Sequence, residues 1–176
     1  MTPLEPLAGT PPANVPTMSR KTFAGLAAGF FLLDVLTKLA AWQMLPLHQE
    51  VKLIPGCFSL RLTTNPGIAF SMLAGYDSVW KTILLTAAAV VALFYIGWLF
   101  HREAATPVPL ALGLSLVAGG ILGNASNRVL TGSVIDFLDF YVGDFTWPTF
   151  NLADSFITIG AILVLWRIVF VERGGR

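Results

Sequence analysis

The stretch Gly119–Asp154, GGILGNASNRVLTGSVIDFLDFYVGDFTWPTFNLAD, decides how this chain folds and what it does. It begins inside one strongly apolar segment and ends where the next one starts. Between them it carries four acids, Asp136, Asp139, Asp144 and Asp154. Charge close to a bilayer is costly, so a membrane protein that places carboxylates there has a use for them. We therefore expect two of these aspartates to act together at a membrane surface.

The composition points to a membrane protein. Of the 176 residues, 55% are hydrophobic and 12% are charged, which is too little charge to cover the exterior of a soluble domain. The net charge of +1, without a Lys/Arg cluster, argues against a nucleic-acid partner. Cys57 is the single cysteine, which excludes an intrachain disulfide and a cysteine-based zinc site. We expect no metal and no other cofactor.

Four apolar runs are long enough to cross a bilayer, which requires about 20 residues. They predict an all-α membrane protein with spans at about residues 22–45, 80–100, 104–126 and 152–171, within a single domain over residues 20–176. Residues 1–19 contain five prolines and no apolar periodicity, so they are predicted to be a disordered tail.

The segment at about residues 46–76 is not helical in pattern. Residues 51–54 and 58–63 alternate apolar and polar side chains on either side of Pro55-Gly56, which predicts a small β-cradle on the outer membrane surface. This segment leads into Asn65-Pro66-Gly67, a turn signal whose position makes it a candidate site loop.

Basic residues set the expected orientation. The side of the termini and the short loop carries Arg20, Lys21, Arg102, Arg167, Arg173 and Arg176. By the positive-inside rule both termini are cytoplasmic. The strand pair, the Asn65 loop and the region from Asp136 to Asp154 then face outward together.

Asp34 and Lys38 interrupt the first span. They are four residues apart, which places them on one helical face. One interpretation is a self-neutralising pair that faces the bundle interior. The other places Lys38 at the rim of a polar site, and the two can coexist.

A close pair of carboxylates shares one proton. The ionised member can deprotonate a water while the protonated member polarises the amide carbonyl. With Asn151 as N-cap, Asp154 takes the third helical position of a capping-box-like start, although an acid there is also common as a mere cap. Its partner is Asp136 or Asp139, since spacing alone does not choose between them. A proton-coupled transporter and a non-enzymatic membrane scaffold are the alternatives.

Five motifs, in this order and spacing, resemble those of lipoprotein signal peptidase (signal peptidase II). They are Asp34-x-x-Thr37-Lys38, Asn65-x-Gly67-x-Ala69-Phe70-Ser71, Gly119-Gly120-x-x-Gly123-Asn124-x-x-x-Arg128, Val134-x-Asp136-Phe137 and Phe150-Asn151-x-Ala153-Asp154-Ser155. The chain departs from the family at Asn127, where the family usually has an acid.

The resemblance implies an aspartic endopeptidase of the bacterial inner membrane with its active site on the periplasmic side. Its substrate would be a prolipoprotein, cleaved before the diacylglyceryl-modified cysteine, and membrane lipid would be its other partner. Asp136 and Asp154 would be catalytic, and Asp34 and Lys38 supporting. Site-lining positions would be Asn65, Gly67, Ala69, Phe70, Asn124, Arg128, Val134, Asn151 and Ala153. We expect a monomer, a β-cradle and a periplasmic loop or short helix.

Aromatic residues near this pair suggest how a lipid could be held. Those closest in sequence are Phe137, Phe140, Trp147 and Phe150. A diacylglyceryl group stays in the bilayer at about 0.8 kcal/mol per buried methylene, so we expect it to hold the modified cysteine at a set depth beside the aspartates.

Overall fold

Four long helices dominate the structure, a computed structural model that describes residues 16–66, 78–102 and 106–171. The helices are α1 (Arg20–Met44), α2 (Ser78–Arg102), α3 (Val108–Thr131) and α4 (Leu152–Trp166), and α4 continues as a π-helical segment, Arg167–Val171. All four are long and apolar enough to cross a membrane. The chain is therefore a multi-pass membrane protein, as its composition predicts.

The third helix differs most from its predicted bounds. It begins at Val108, after the N-cap Pro107, and it continues to Thr131, where Gly132 takes a left-handed conformation with φ 74°. Proline suits a helix start because its missing N–H is not needed there. The polar residues after Ser126 extend this helix beyond the apolar run, so hydropathy alone underestimates its length.

The start of α1 is anchored to the loop before α3. The Met18 N–H donates to the Thr106 carbonyl at 3.0 Å, and the Val108 N–H donates to the Pro16 carbonyl at 3.0 Å. Residues 16–19, which we assigned to the predicted disordered tail, therefore contact the loop before α3, and a proline carbonyl can accept such a hydrogen bond. The disorder of the tail stays a prediction. Residues 1–15 lie outside the described residues.

Burial is concentrated in α3. Its most apolar stretch is 56% buried, against 17% or less in the other three helices. Helices α1, α2 and α4 pack against α3, and their outer faces carry large exposed apolar side chains such as Leu36, Phe94 and Ile162. In a bilayer such side chains face lipid, so α3 is the central helix of the bundle.

Two glycines of α3 bring its neighbours close to one turn of the helix. A Cβ at Gly120 would lie 2.5 Å from the carbonyl oxygen of Ala153 in α4, and a Cβ at Gly123 would overlap the carboxylate of Asp34 in α1. Small residues allow helices to approach closely in membranes. The glycines therefore hold an acid of α1 and the first turn of α4 against the same part of α3.

A four-stranded antiparallel sheet lies beside the C-terminal end of α1. Its strands are β1 (Glu50–Ile54), β2 (Phe58–Asn65), β3 (Val134–Val142) and β4 (Phe145–Thr146), in the order β1-β2-β3-β4. The first two strands confirm the predicted strand pair. The small apolar cluster of Ala41, Leu62 and Phe137 joins α1, β2 and β3.

The sequence analysis missed β3. We expected a loop or short helix in addition to the spans and the cradle, but the connection between α3 and α4 contains the strands β3 and β4. Asp136 and Asp139 are three residues apart, which does not match the period of two in a strand, yet both are buried. Strand β2 has an irregularity between Leu60 and Thr63. Apart from the helices given above, the described residues form no short helix. Residues 67–77 are not among the described residues.

Candidate active site

Asp136 and Asp154 are joined through Asn151. The side-chain nitrogen of Asn151 donates to Oδ1 of Asp136 at 2.6 Å. Its backbone N–H donates to Oδ2 of Asp154 at 3.3 Å, and its Oδ1 accepts the Asp154 N–H at 3.0 Å. The predicted capping box at the start of α4 is therefore present, and it connects the two aspartates.

Asn124, near the end of α3, contacts the same group from the other side. Its side-chain nitrogen donates to Oδ1 of Asp154 at 2.8 Å, and its Oδ1 accepts from the Asn151 side chain at 3.1 Å. Both amide side chains are buried. The side-chain amide of Asn124 thus donates to Asp154, and that of Asn151 donates to Asp136.

The Asp34–Lys38 pair of α1 contacts Asn124 and the first turn of α4, which agrees with both interpretations of its spacing. Lys38 and Asp34 form an ion pair at 2.6 Å, and both are almost fully buried. Lys38 also donates to Oδ1 of Asn124 at 2.9 Å, and Asp34 accepts the Ala153 N–H at 2.8 Å. The ion pair is therefore part of the polar network and also neutralises itself.

Strand β2 completes the group. Asn65 pairs with the buried Val134 at the start of β3, and Thr63 pairs with Asp136. The Asn65 side chain hydrogen-bonds Asp136. Strand β2 up to Asn65 therefore meets the region from Asp136 to Asp154, as predicted. Gly67, Ala69 and Phe70 lie outside the described residues.

Burial governs the electrostatics of Asp136, whose side chain is 2% exposed. Loss of solvation raises the pKa of its carboxyl to about 6, and the nearby charge of Asp154 acts in the same direction. Hydrogen bonds from Asn151 and Asn65 and the charge of Lys38 oppose this rise in pKa. Asp136 can therefore hold a proton at a pH at which an ordinary carboxyl is ionised.

Arg128 and Asn127 occupy the last turns of α3. The Arg128 guanidinium interacts electrostatically with Asp154 and Asp136, while its buried Nε has no hydrogen-bond partner within the described parts of the chain. Oδ1 of Asn127 accepts the Ile135 N–H at 3.2 Å. Asn127, which we had noted as a departure from the family pattern, thus ties α3 to β3 next to Asp136.

Asp139 is buried away from this group. Its Oδ2 accepts from the Ser59 hydroxyl at 2.9 Å and lies 3.6 Å from the Arg61 guanidinium. It therefore belongs to the β2–β3 pairing, and the hydrogen-bond network selects Asp136 as the neighbour of Asp154.

An apolar cavity of about 480 Å³ opens on the sheet beyond Phe150. It is lined by Cys57, Phe140, Tyr141, Val142, Phe145, Trp147 and Phe150. The rings of Phe140 and Phe150 stack at 5.8 Å. Three of the four aromatic residues that we expected near a lipid therefore line one cavity, but Phe137 does not, because it is buried in the apolar core.

The part of the chain that the structure describes holds no group of three or more His, Cys, Asp or Glu side chains that could bind a metal ion. The expectation that no metal is used stays a prediction.

Comparison with known proteins identifies relatives over most of the chain. The lipoprotein signal peptidase of Desulforapulum autotrophicum is 41% identical over 139 residues, which are 78% of this chain and 85% of that protein. The lipoprotein signal peptidase of Paraburkholderia phymatum is 41% identical over 152 residues, which are 86% and 90% of the two chains.

A solved structure has the same fold. It is described as a bacterial membrane enzyme determined by the in meso method at 1.9 Å resolution, and it superposes with a TM-score of 0.76 at 28% identity, covering 88% of this chain and 96% of that chain. The signal peptidase (SPase) II family matches residues 26–170. With this match and the relatives above, the chain belongs to the signal peptidase II family.

Proposed function

We propose that Asp136 and Asp154 are the catalytic pair of an aspartic endopeptidase that removes the signal peptides of prolipoproteins. Family membership and the named relatives support cleavage of lipoprotein signal peptides and favour it over the transporter and scaffold alternatives. The observation that carries the aspartic mechanism is the position of Asn151, whose side-chain amide donates to the Asp136 carboxylate and whose backbone N–H donates to the Asp154 carboxylate.

The hydrogen bonds divide the two roles. Asp154 accepts from the Asn124 side chain and the Asn151 backbone and lies in the first turn of α4, where the positive end of the helix favours a negative charge. Asp154 is thus an acceptor at both contacts, which suits a general base. Asp136 is the better proton carrier because burial raises its pKa. We assign Asp154 as the base and Asp136 as the acid.

The proposed reaction needs one water and no cofactor. Asp154 takes a proton from the water as the water oxygen attacks the carbonyl carbon of the peptide bond. Asp136 gives its proton to the carbonyl oxygen. In the resulting tetrahedral intermediate the C–N bond breaks. The nitrogen receives the proton from Asp154, and a hydroxyl proton of the intermediate returns to Asp136. The products are a carboxyl terminus and a free amine, and both aspartates regain their starting states.

The orientation of the bundle suggests where this occurs. The sheet and the aspartates lie at one end of the helices, and Arg20, Lys21, Arg102 and Arg167 lie at or near the helix ends away from the sheet. By the positive-inside rule the basic end is cytoplasmic. We therefore place the site at the periplasmic side of the bacterial inner membrane, with both termini in the cytoplasm. We also propose that the protein acts as a monomer.

Purified protein and a diacylglyceryl-modified lipopeptide test the proposal. We expect Asp136→Asn and Asp154→Asn to lower kcat by about 10²–10⁴-fold while the protein inserts at its normal abundance. Activity in either variant close to that of the unmodified protein would show that the pair is not catalytic.

Two controls separate this mechanism from others. We expect EDTA to have no effect, and we expect Cys57→Ser to retain activity, because Cys57 lines the apolar cavity and not the aspartate pair. Loss of activity in EDTA, or in the serine variant with folding intact, would argue for a metal or a thiol nucleophile.

A further inference from the structure

We propose that Lys38 is a positioning residue that sets the orientation of the Asn124 side-chain amide and thereby directs an N–H donor at Asp154. This inference rests on the proposed catalytic pair. In the contacts described above, Lys38 hydrogen-bonds neither Asp136 nor Asp154.

The geometry leaves Lys38 one way to bind Asn124. The ammonium group carries three donors and no acceptor, and it lies 2.9 Å from Oδ1 of Asn124. The oxygen of the amide must therefore face Lys38. The amide nitrogen is then turned toward Asp154, where it donates at 2.8 Å.

The opposite orientation of the amide is disfavoured at every contact. It would place the Asn124 nitrogen against the donors of Lys38 and Asn151, and its oxygen against the Asp154 carboxylate. A hydrogen bond from a charged donor is roughly twice as strong as a neutral one, and this site is buried. Without Lys38, the Asn151 side chain would be the remaining group that holds the Asn124 oxygen in place.

A simpler role for Lys38 would be to neutralise Asp34. Asp34 is fully buried and accepts the Ala153 N–H at 2.8 Å, so it needs a partner whatever happens at Asn124. The two roles make different predictions for the paired substitution Asp34→Asn with Lys38→Met. This double substitution removes both charges of the Asp34–Lys38 ion pair, and an asparagine oxygen at position 34 can still accept the Ala153 N–H.

The experiment measures kcat and KM of the paired variant with the lipidated peptide. We expect normal insertion, a KM within a few-fold of the unmodified protein and a kcat lower by roughly 10²-fold, since small misplacements of catalytic groups cost about that much. Lys52→Met, which removes an exposed lysine of β1, is the matched control and should keep full activity. Unchanged kcat in the paired variant would overturn the proposal.

Asn124→Leu provides a second measurement that keeps the Asp34–Lys38 ion pair. It removes the donor to Asp154 and leaves Lys38 paired with Asp34, so it also serves if the paired variant fails to insert. We expect a similar loss of kcat. A kcat equal to that of the unmodified protein would likewise overturn the proposal.

The pH profile separates positioning from charge. The charged groups near Asp136 are Asp154, Lys38 and Arg128, and Asp34 lies behind Lys38. Lys38→Met alone removes a positive charge, which raises the pKa of Asp136, so its kcat profile should move to higher pH. The paired variant removes one charge of each sign, so its profile should move less while its kcat stays low. A profile that moves without loss of kcat at the optimum would limit Lys38 to an electrostatic role and overturn positioning.

The results also distinguish this inference from the proposed function. If Asp136→Asn and Asp154→Asn are inactive and the paired variant is fully active, the catalytic pair stands and the role of Lys38 is refuted. If the two aspartate variants are active, the proposed function itself fails.

Discussion

The side-chain nitrogen of Asn151 lies 2.6 Å from Oδ1 of Asp136, and the same side chain caps α4. One residue therefore begins a membrane-spanning helix and donates a hydrogen bond to an acid of the sheet. This double use couples the position of Asp154 in the helix to that of Asp136 in β3. Substitutions at Asn151 should separate the two functions.

We expect Asn151→Ser to keep the cap of α4, to be more stable than Asn151→Ala, and to lose activity. Serine is a good N-cap, but its short hydroxyl cannot replace the amide donor to Asp136. Asn151→Ala should lose both, with a stability cost of about 1 kcal/mol. Thermal unfolding in detergent and lipopeptide cleavage measure the two effects. Full activity in the serine variant would show that the amide contact to Asp136 is dispensable.

Asp136→Asn should stabilise the protein at neutral pH while it removes activity. Folding raises the pKa of this carboxyl from 3.8 to about 6, so the folded state binds its proton more tightly than the unfolded state does. Stability is therefore lost as pH rises through this interval, and the full cost, of the order of 1–3 kcal/mol, is present above about pH 6.

Thermal unfolding of the unmodified protein and the asparagine variant at two pH values checks this sign. The gain in the variant should be larger at about pH 7.5 than at about pH 5. An equal gain at both values, or a loss at the higher one, would contradict a raised pKa for Asp136.

Asp139→Asn should be milder than Asp136→Asn in its effect on cleavage. Asp139 contacts Ser59 and Arg61 in β2 and not the asparagines of the site. The change removes a partner for Arg61, which is 40% exposed, so it should weaken the sheet slightly. If Asp139→Asn is inactive and Asp136→Asn is active, the assignment of the catalytic pair is wrong.

Asn127→Asp should be neutral or slightly favourable. A carboxylate can accept the Ile135 N–H that Asn127 now binds, and it would add an acid beside Arg128, as the family pattern usually has. A partly exposed charge pair contributes about 0–1 kcal/mol. Cleavage rates and thermal stability test this, and a large loss of activity would show that the arginine contacts depend on the amide.

An unlipidated precursor should be cleaved far more slowly than the lipidated one. Buried methylenes of a diacylglyceryl group contribute about 0.8 kcal/mol each to membrane anchoring, and holding the scissile bond beside the aspartates is a large part of catalysis. Purified protein in detergent, given both precursors at equal concentration, decides this.

The cavity beside Phe150 sharpens the test of the lipid. We expect the acyl chains to enter this cavity. Phe140→Ala should then slow cleavage of the lipidated precursor more than that of the unlipidated one, because Phe140 lines the cavity and stacks on Phe150 there. Comparable rates for the two precursors with the unmodified protein would refute selection by the lipid.

The sequence alone determined the parts of this protein that depend on local pattern. Hydropathy specified four spans, alternation specified β1 and β2, and the spacing from Asn151 to Asp154 specified a capping box. The i,i+4 spacing of Asp34 and Lys38 specified their ion pair. Each of these features depends on residues that are close in the chain, so composition and period suffice to find them.

The tertiary structure decided what depends on contacts between distant segments. Residues 134–142 form a strand because they pair with β2, and their own pattern, with acids three apart, does not specify one. Spacing alone left Asp136 and Asp139 open, although the family motif pointed to Asp136. The same pairing turns Asp139 toward Ser59 and leaves Asp136 to Asn151. The link from Lys38 through Asn124 to Asp154 requires α1, α3 and α4 to meet at Gly120 and Gly123, a convergence that packing decides because no local periodicity encodes it.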